Sequence, residues 1–150
     1  MSNTNLKTYL DGYSVEMIEA MKRVLIEKDK GDTDFINSLN YKVREEIESI
    51  DVEFIMQDYA KWVDEGRAAG KMPPLDVITK WVQKKGLPES AIFPIRQNIG
   101  KFGIPPTNFK QPLVDSKTSL FSGIEKSSAK DIASDIKNID HAIRVNNSKK

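Results

Sequence analysis

The stretch GRAAGKMPP, Gly66 to Pro74, carries the glycines and lysine of a phosphate-binding loop. In such a loop, backbone amides wrap the phosphates, the lysine reaches them and a following hydroxyl holds magnesium. The spacing here is wrong for that chemistry. Gly66 and Gly70 have three residues between them instead of four, and Met72 occupies the hydroxyl position. The preceding DYAKWVDE is not the apolar strand from which such a loop springs. The other chemical candidates are equally bare. His141 is the single histidine and has no second ligand at metal spacing. Asp64-Glu65 and Glu45-Glu46 are adjacent pairs, and neighbours in sequence do not share a face of a helix or a strand. Without cysteine there is no thiol nucleophile, disulfide framework or cysteine zinc site. No serine sits in a nucleophile elbow. The sequence therefore predicts no catalytic residue, no cofactor, no metal, and no enzyme.

The chain that must hold these residues is 150 long, which fits one domain. A charged fraction of 30% against 39% hydrophobic predicts a modest core, with some elements ordered by partners. No apolar run approaches the length of a membrane span, and the first residues lack the basic and apolar regions of a signal peptide. Synthesis inside the cell and no membrane partner are expected. The net charge of +1 conceals segregation. Residues 1–59 hold 7 Lys/Arg against 13 Asp/Glu, a balance of −6; residues 60–110 hold 9 against 4, or +5. Residues 111–150 hold 7 against 5, or +2. Such a dipolar chain suits head-to-tail contact between copies, or a basic face turned to polyanion; segregated, solvated faces are the plain alternative.

Residues 1–14 read as a flexible lead-in, with Tyr9, Leu10 and Tyr13 as docking points. Ser14 is a candidate N-cap for a helix over about 15–29, stopped at Gly31. Leu39, Tyr41 and Val43 alternate with polar residues, as do Ile50, Val52, Phe54 and Met56, which predicts two antiparallel strands. DYAKWVDEG reads as a strand extension or a short helix closed by Gly66, with Tyr59, Trp62 and Val63 on one face. Pro73-Pro74 suit the start of a helix over about 75–85, ended by Gly86. Ile92, Ile95, Ile99 and Phe102 predict another, ended by Gly103, with Pro94 kinking it or delaying its start. IPPTNFKQP reads as an extended connector, and Ile132, Ile136, Ile139 and Ile143 form one stripe of a terminal helix before a frayed VNNSKK. The two tryptophans, each on an apolar face, are expected in the core. The fold class is α+β: a small antiparallel sheet packed with an N-terminal helix and a helical hairpin, plus an extended or helical C-terminal arm. The domain boundaries follow as 1–14, 15–112 and 113–150.

The hairpin over 75–102 also admits a helix-turn-helix reading. Its second helix carries Arg96, Gln97, Asn98 and Lys101, which can contact phosphates and base edges. Pro94 and the proline in the turn count against it, and an αα-hairpin used for packing fits the same residues.

Over about residues 15–110 the chain resembles the tail-completion, or neck, proteins of tailed bacteriophages. The motifs that carry the resemblance are Tyr59, Ala60, Val63, Gly66 and Arg67; the Gly-Lys-Met-Pro-Pro loop at 70–74; Ile78, Trp81, Val82, Lys85 and Gly86; and the Gly-Ile-Pro-Pro-(x)2-Phe connector at 103–109. The resemblance implies a non-enzymatic virion component that forms a homo-oligomeric ring between the portal-side connector and the tail. Genomic DNA would pass through its lumen without sequence-specific contact. Under that reading the loop becomes a mobile arm docking on a neighbour through Arg67, Lys71, Met72, Pro73 and Pro74. Lys84, Lys85 and Lys101 become candidates for lining the lumen. The final forty residues match the family less well, and their isoleucine stripe is left to cover the ring, hold a neighbouring copy or dock another neck protein.

Overall fold

The computed structural model describes residues 3–28 and 33–148. Along the chain run helix α1 (Thr4–Glu27), α2 (Thr33–Ser38), strands β1 (Asn40–Glu45) and β2 (Ile50–Ile55), then α3 (Ala60–Glu65), α4 (Leu75–Lys84), α5 (Ile92–Phe102), α6 (Gln111–Asp115) and α7 (Lys117–Ser148). The class is α+β, as the alternating and helical periods predict. The chain divides into two compact units. One comprises Met1–Met21, Leu39–Ile55 and Gln111–Lys150; the other comprises Lys22–Ser38 and Met56–Lys110. Sheet and terminal helix thus belong to the first unit, and the α4–α5 hairpin to the second. No described helix is long and apolar enough to cross a membrane.

Helix α1 begins at Thr4, so residues 4–14 are helical instead of a loose lead-in. Leu10, Tyr13, Ser14, Met17, Ile18, Met21 and Leu25 are buried, a spacing that puts them on one stripe. Ser14 is therefore not an N-cap. It lies inside the helix, where its hydroxyl donates to the Leu10 carbonyl at 2.7 Å. The expected stop at Gly31 lies outside the described residues.

What starts α1 is remote in sequence. Asp131 of α7 is buried and accepts from the backbone N–H of Asn5 and of Leu6, both at 3.0 Å, and from Asn5 Nδ2 at 2.9 Å. The carboxylate satisfies donors that a helix N-terminus leaves without internal partners, and its charge suits the positive end of the helix dipole. Burial raises the pKa of this carboxyl, but the hydrogen bonds from Asn5 and Leu6 outweigh it, leaving the group below its ordinary 3.8. The unfolded chain then binds the proton more tightly than the folded one. The contribution is complete above the ordinary value and is lost as pH falls from 3.8 through the lower folded value. Asp131→Asn is expected to melt several degrees below the wild type at neutral pH, with the two curves converging in acid. Thermal melts down to about pH 2.5 check this, and a gap that persists there would contradict it.

Other contacts fix α7 along α1. Tyr9 donates to the Ser119 carbonyl at 3.2 Å, and Tyr13 shares a 2.7 Å hydrogen bond with Ser116. Gly123 lies under the Tyr9 ring, where any Cβ would overlap it. β1 and β2 pair antiparallel, with Tyr41 opposite Phe54 and Val43 opposite Val52 on the half-buried face. Lys42–Glu53 and Arg44–Asp51 face each other on the outer side, and Arg44 reaches Glu53 at 3.1 Å.

The second unit is built on aromatic packing. Phe35 lies edge-on to Phe109, with centroids 5.5 Å apart at 89°, and tilted against Tyr59 at 5.4 Å. The connector after α5 closes the short helix α3. Thr107 N–H and hydroxyl both reach the Val63 carbonyl, and the Asn108 N–H donates to the Asp64 carbonyl at 3.0 Å. The Asp64 side chain accepts from Lys110 N–H at 3.0 Å, a structural role in place of an acid/base pair with Glu65. Pro94 is the third residue of α5, where a helix has no internal use for an N–H, so the helix begins just before it and runs to Gly103.

Candidate interaction site

Tyr59, just before the short helix α3, and Trp62 and Val63 within it line one side, α4 presents Val77, Ile78 and Trp81, and α5 presents Ile95 and Ile99 one turn apart. Phe35 and Ile104 complete the lining of an apolar cleft of about 230 Å³. Each contribution follows from local sequence. Tyr59, Trp62 and Val63 share a face because α3 is the helix, not the strand, of the two readings DYAKWVDEG allows. α4 starts cleanly because Pro74 holds φ at −55° just before it, and it ends at Lys84 two residues ahead of Gly86. Trp62 and Trp81, expected in the core, are half-buried and form walls of this cleft. Tyr59 supplies the one hydroxyl of the lining. Burial, with a smaller push from Asp34, raises its pKa, so it stays neutral at physiological pH.

The loop from Gly66 to Pro74 is tied down and does not project as a mobile arm. Arg67 and Ile104 form an isolated antiparallel bridge with both N–H···O bonds at 2.8 Å, and Gly70 N–H donates to Gly100 at 2.7 Å. The Arg67 guanidinium lies 5.3 Å from the Trp62 ring centroid and donates to the Met72 carbonyl at 3.1 Å. Its Nε is buried with no hydrogen-bond partner among the described residues. Pro73 is buried, and its carbonyl accepts from Arg96 Nε at 3.0 Å. Lys71, Met72 and Pro74 are exposed and Arg67 is half-buried, so of the five loop residues only Pro73 is shut off from solvent. Gly66 serves close backbone approach, whereas Gly70 has open space at its Cβ position and is required by its φ of 115°.

The three lysines read as lumen candidates are presented differently. Lys84 is exposed and donates to Gln57 Oε1. Lys85 is half-buried, 3.7 Å from an Asp34 carboxylate oxygen and 6.0 Å from the Trp81 ring centroid. Lys101 is exposed at the end of α5, over the ring of Phe102. Gln97 and Asn98 are exposed, whereas Arg96 is engaged with Pro73. His141 stands exposed on α7, and among the described residues no three His, Asp or Glu side chains gather into a metal-binding group.

Compared with protein-family models, curated proteins and solved structures, the chain matches none. What it offers a partner must be read from its own surface. Beyond the cleft, the clearest feature is the distal part of α7. From Ile132 onward every described side chain is exposed except the half-buried Asp135. Ile132, Ile136, Ile139 and Ile143 keep 48, 60, 60 and 53% of their surface in contact with solvent. The stripe was legible in sequence. The cleft was not, because Phe35 and Ile104 were never recognised as lining, and the gap between three helices is not a property of any one of them.

Proposed function

We propose that this chain is a structural component of a phage neck. It assembles as a homo-oligomeric ring, joins the portal-side connector to the tail, and surrounds the path of the genome without reading its sequence. The observation that carries this is the solvent-facing isoleucine stripe of α7. Four large aliphatic side chains on one face of a helix about 48 Å long make an assembly surface, since isolated helices gain nothing from such a face in water. The charge balance of −6 in residues 1–59 against +5 in residues 60–110 fits unlike surfaces meeting around a closed ring. The resemblance of the 59–67, 70–74 and 103–109 motifs to neck proteins points the same way.

The helix-turn-helix reading gains little from the geometry. The first turn of α5, the part that should reach base edges, offers Ile92, Phe93 and Pro94, none of which can hydrogen-bond a base through its side chain. Retention on a panel of duplexes separates the two readings. The neck reading expects weak binding with no sequence preference, gone by about 200 mM salt as phosphate contacts are screened. Tight retention of one particular duplex at that salt would favour the helix-turn-helix.

A further inference from the structure

Every copy of this chain carries an apolar cleft and an exposed apolar helix stripe, the two shapes that meet in a helix-in-groove contact. One is the cleft walled by Trp62 and Trp81; the other is the α7 stripe, whose 4-3-4 spacing is that of an anchor series on one helical face. We infer that the stripe of one copy seats in the cleft of the next. This deepens, and rests on, the ring reading.

Size and chemistry select the occupant. At about 230 Å³ the cleft exceeds a cavity of about 150 Å³ that accepts benzene, so it has room for branched aliphatic side chains. It falls short of the roughly 300–1,000 Å³ of small-molecule sites, and its lining side chains carry no charge, with the Tyr59 hydroxyl and the indole N–H groups of Trp62 and Trp81 as their polar groups. An apolar helix face is what fits. Charge then favours a second copy. Asp140 lies roughly 70° to one side of the stripe on a helix of 3.6 residues per turn, and Asp135, half-buried and already engaged within its own chain, lies as far to the other. Lys80 and Lys84 line, together with Asp58, a neighbouring depression that shares Tyr59, Val77 and Trp81 with the cleft. Asp140 also pairs with Arg144 at 2.8 Å and Lys84 with Gln57, both at exposed positions where exchange of partners costs little. Pairing two stripes in parallel would instead bring the flanking aspartates of the two copies together. One stripe and one cleft per chain make a heterologous, head-to-tail contact, the kind that closes into a ring.

The chain has no cysteine, which makes a crosslinking test clean. Full-length Lys80→Cys is mixed with full-length Asp140→Cys and treated with a short bismaleimide, beside a control in which Lys42→Cys on β1 replaces Lys80→Cys. The expected result is a crosslink between the two variants, well above the control. Adding Ile136→Gln and Ile139→Gln to the Asp140→Cys chain should lower it at least about tenfold. Both isoleucines are exposed and Gln keeps helix propensity, so circular dichroism should not change. No crosslink, a crosslink indifferent to the Gln substitutions, or crosslinking of Asp140→Cys chains mainly to one another would each overturn the contact. Mass photometry of the wild type separates the two claims. Rings without this crosslink would sink the contact and leave the ring, and the crosslink without rings would do the reverse.

Discussion

Phe109→Ala is expected to lower the stability of the second unit by about 3–5 kcal/mol, seen as a fall of roughly 10 °C in melting temperature. Phe109 is fully buried and meets Phe35 edge-on at 5.5 Å, and Phe35 in turn packs on Tyr59. Truncation removes both the transfer free energy of a phenyl ring and the edge-to-face contact. The site cannot easily collapse. The two residues just before Phe109 are held by backbone hydrogen bonds to Val63 and Asp64, and Lys110 N–H is held by the Asp64 carboxylate, so the connector cannot slide inward to fill the void. Urea or thermal unfolding measures the effect. A fall below about 3 °C would mean that the aromatic trio is not the core described.

Gly66→Ala and Gly103→Ala should each cost about 3 kcal/mol. Gly66 has φ 71° and ψ −171°, and Gly103 has φ 71° and ψ −168°, a backbone region that is essentially glycine's alone. Space is denied as well. A Cβ on Gly66 would overlap the Ile104 carbonyl oxygen, and one on Gly103 would overlap the Arg67 carbonyl oxygen. Both oxygens are committed to the Arg67–Ile104 bridge, so relieving either overlap breaks a hydrogen bond. The two glycines thus form a seam at which α3, the 66–74 loop and the connector meet. Gly12→Ala is the control of opposite sign. Gly12 lies inside α1 with nothing near its Cβ position, and Ala there should stabilise by about 0.5–1 kcal/mol. Unfolding curves for the three variants check the contrast, and equal effects would contradict it.

The glycine seam also shows where sequence reading stops. Gly66 and Gly103 are legible as helix terminators because they follow apolar residues at helical spacing. Their meeting is not legible, since 37 positions separate them and no local pattern records a backbone contact. The strands were legible from period two in Tyr41, Val43, Val52 and Phe54, and α4 and α5 from period 3.6 between prolines and glycines. The start of α1 is not legible, since Ser14 is a good N-cap by residue type, whereas the group that holds the true N-terminus is Asp131, in α7. A cap supplied from 126 residues away leaves no trace near the helix it serves. The cleft shares that character. Its walls were readable as three separate apolar faces, and the opening between them was not.

The central claim, a ring, is tested most directly by mass photometry and cryo-electron microscopy of the purified chain, alone and mixed with its connector. Closed rings are expected in at least one of the two samples. Small species persisting in both, with tight retention of one duplex at about 200 mM salt, would contradict it and return the α4–α5 hairpin to DNA recognition.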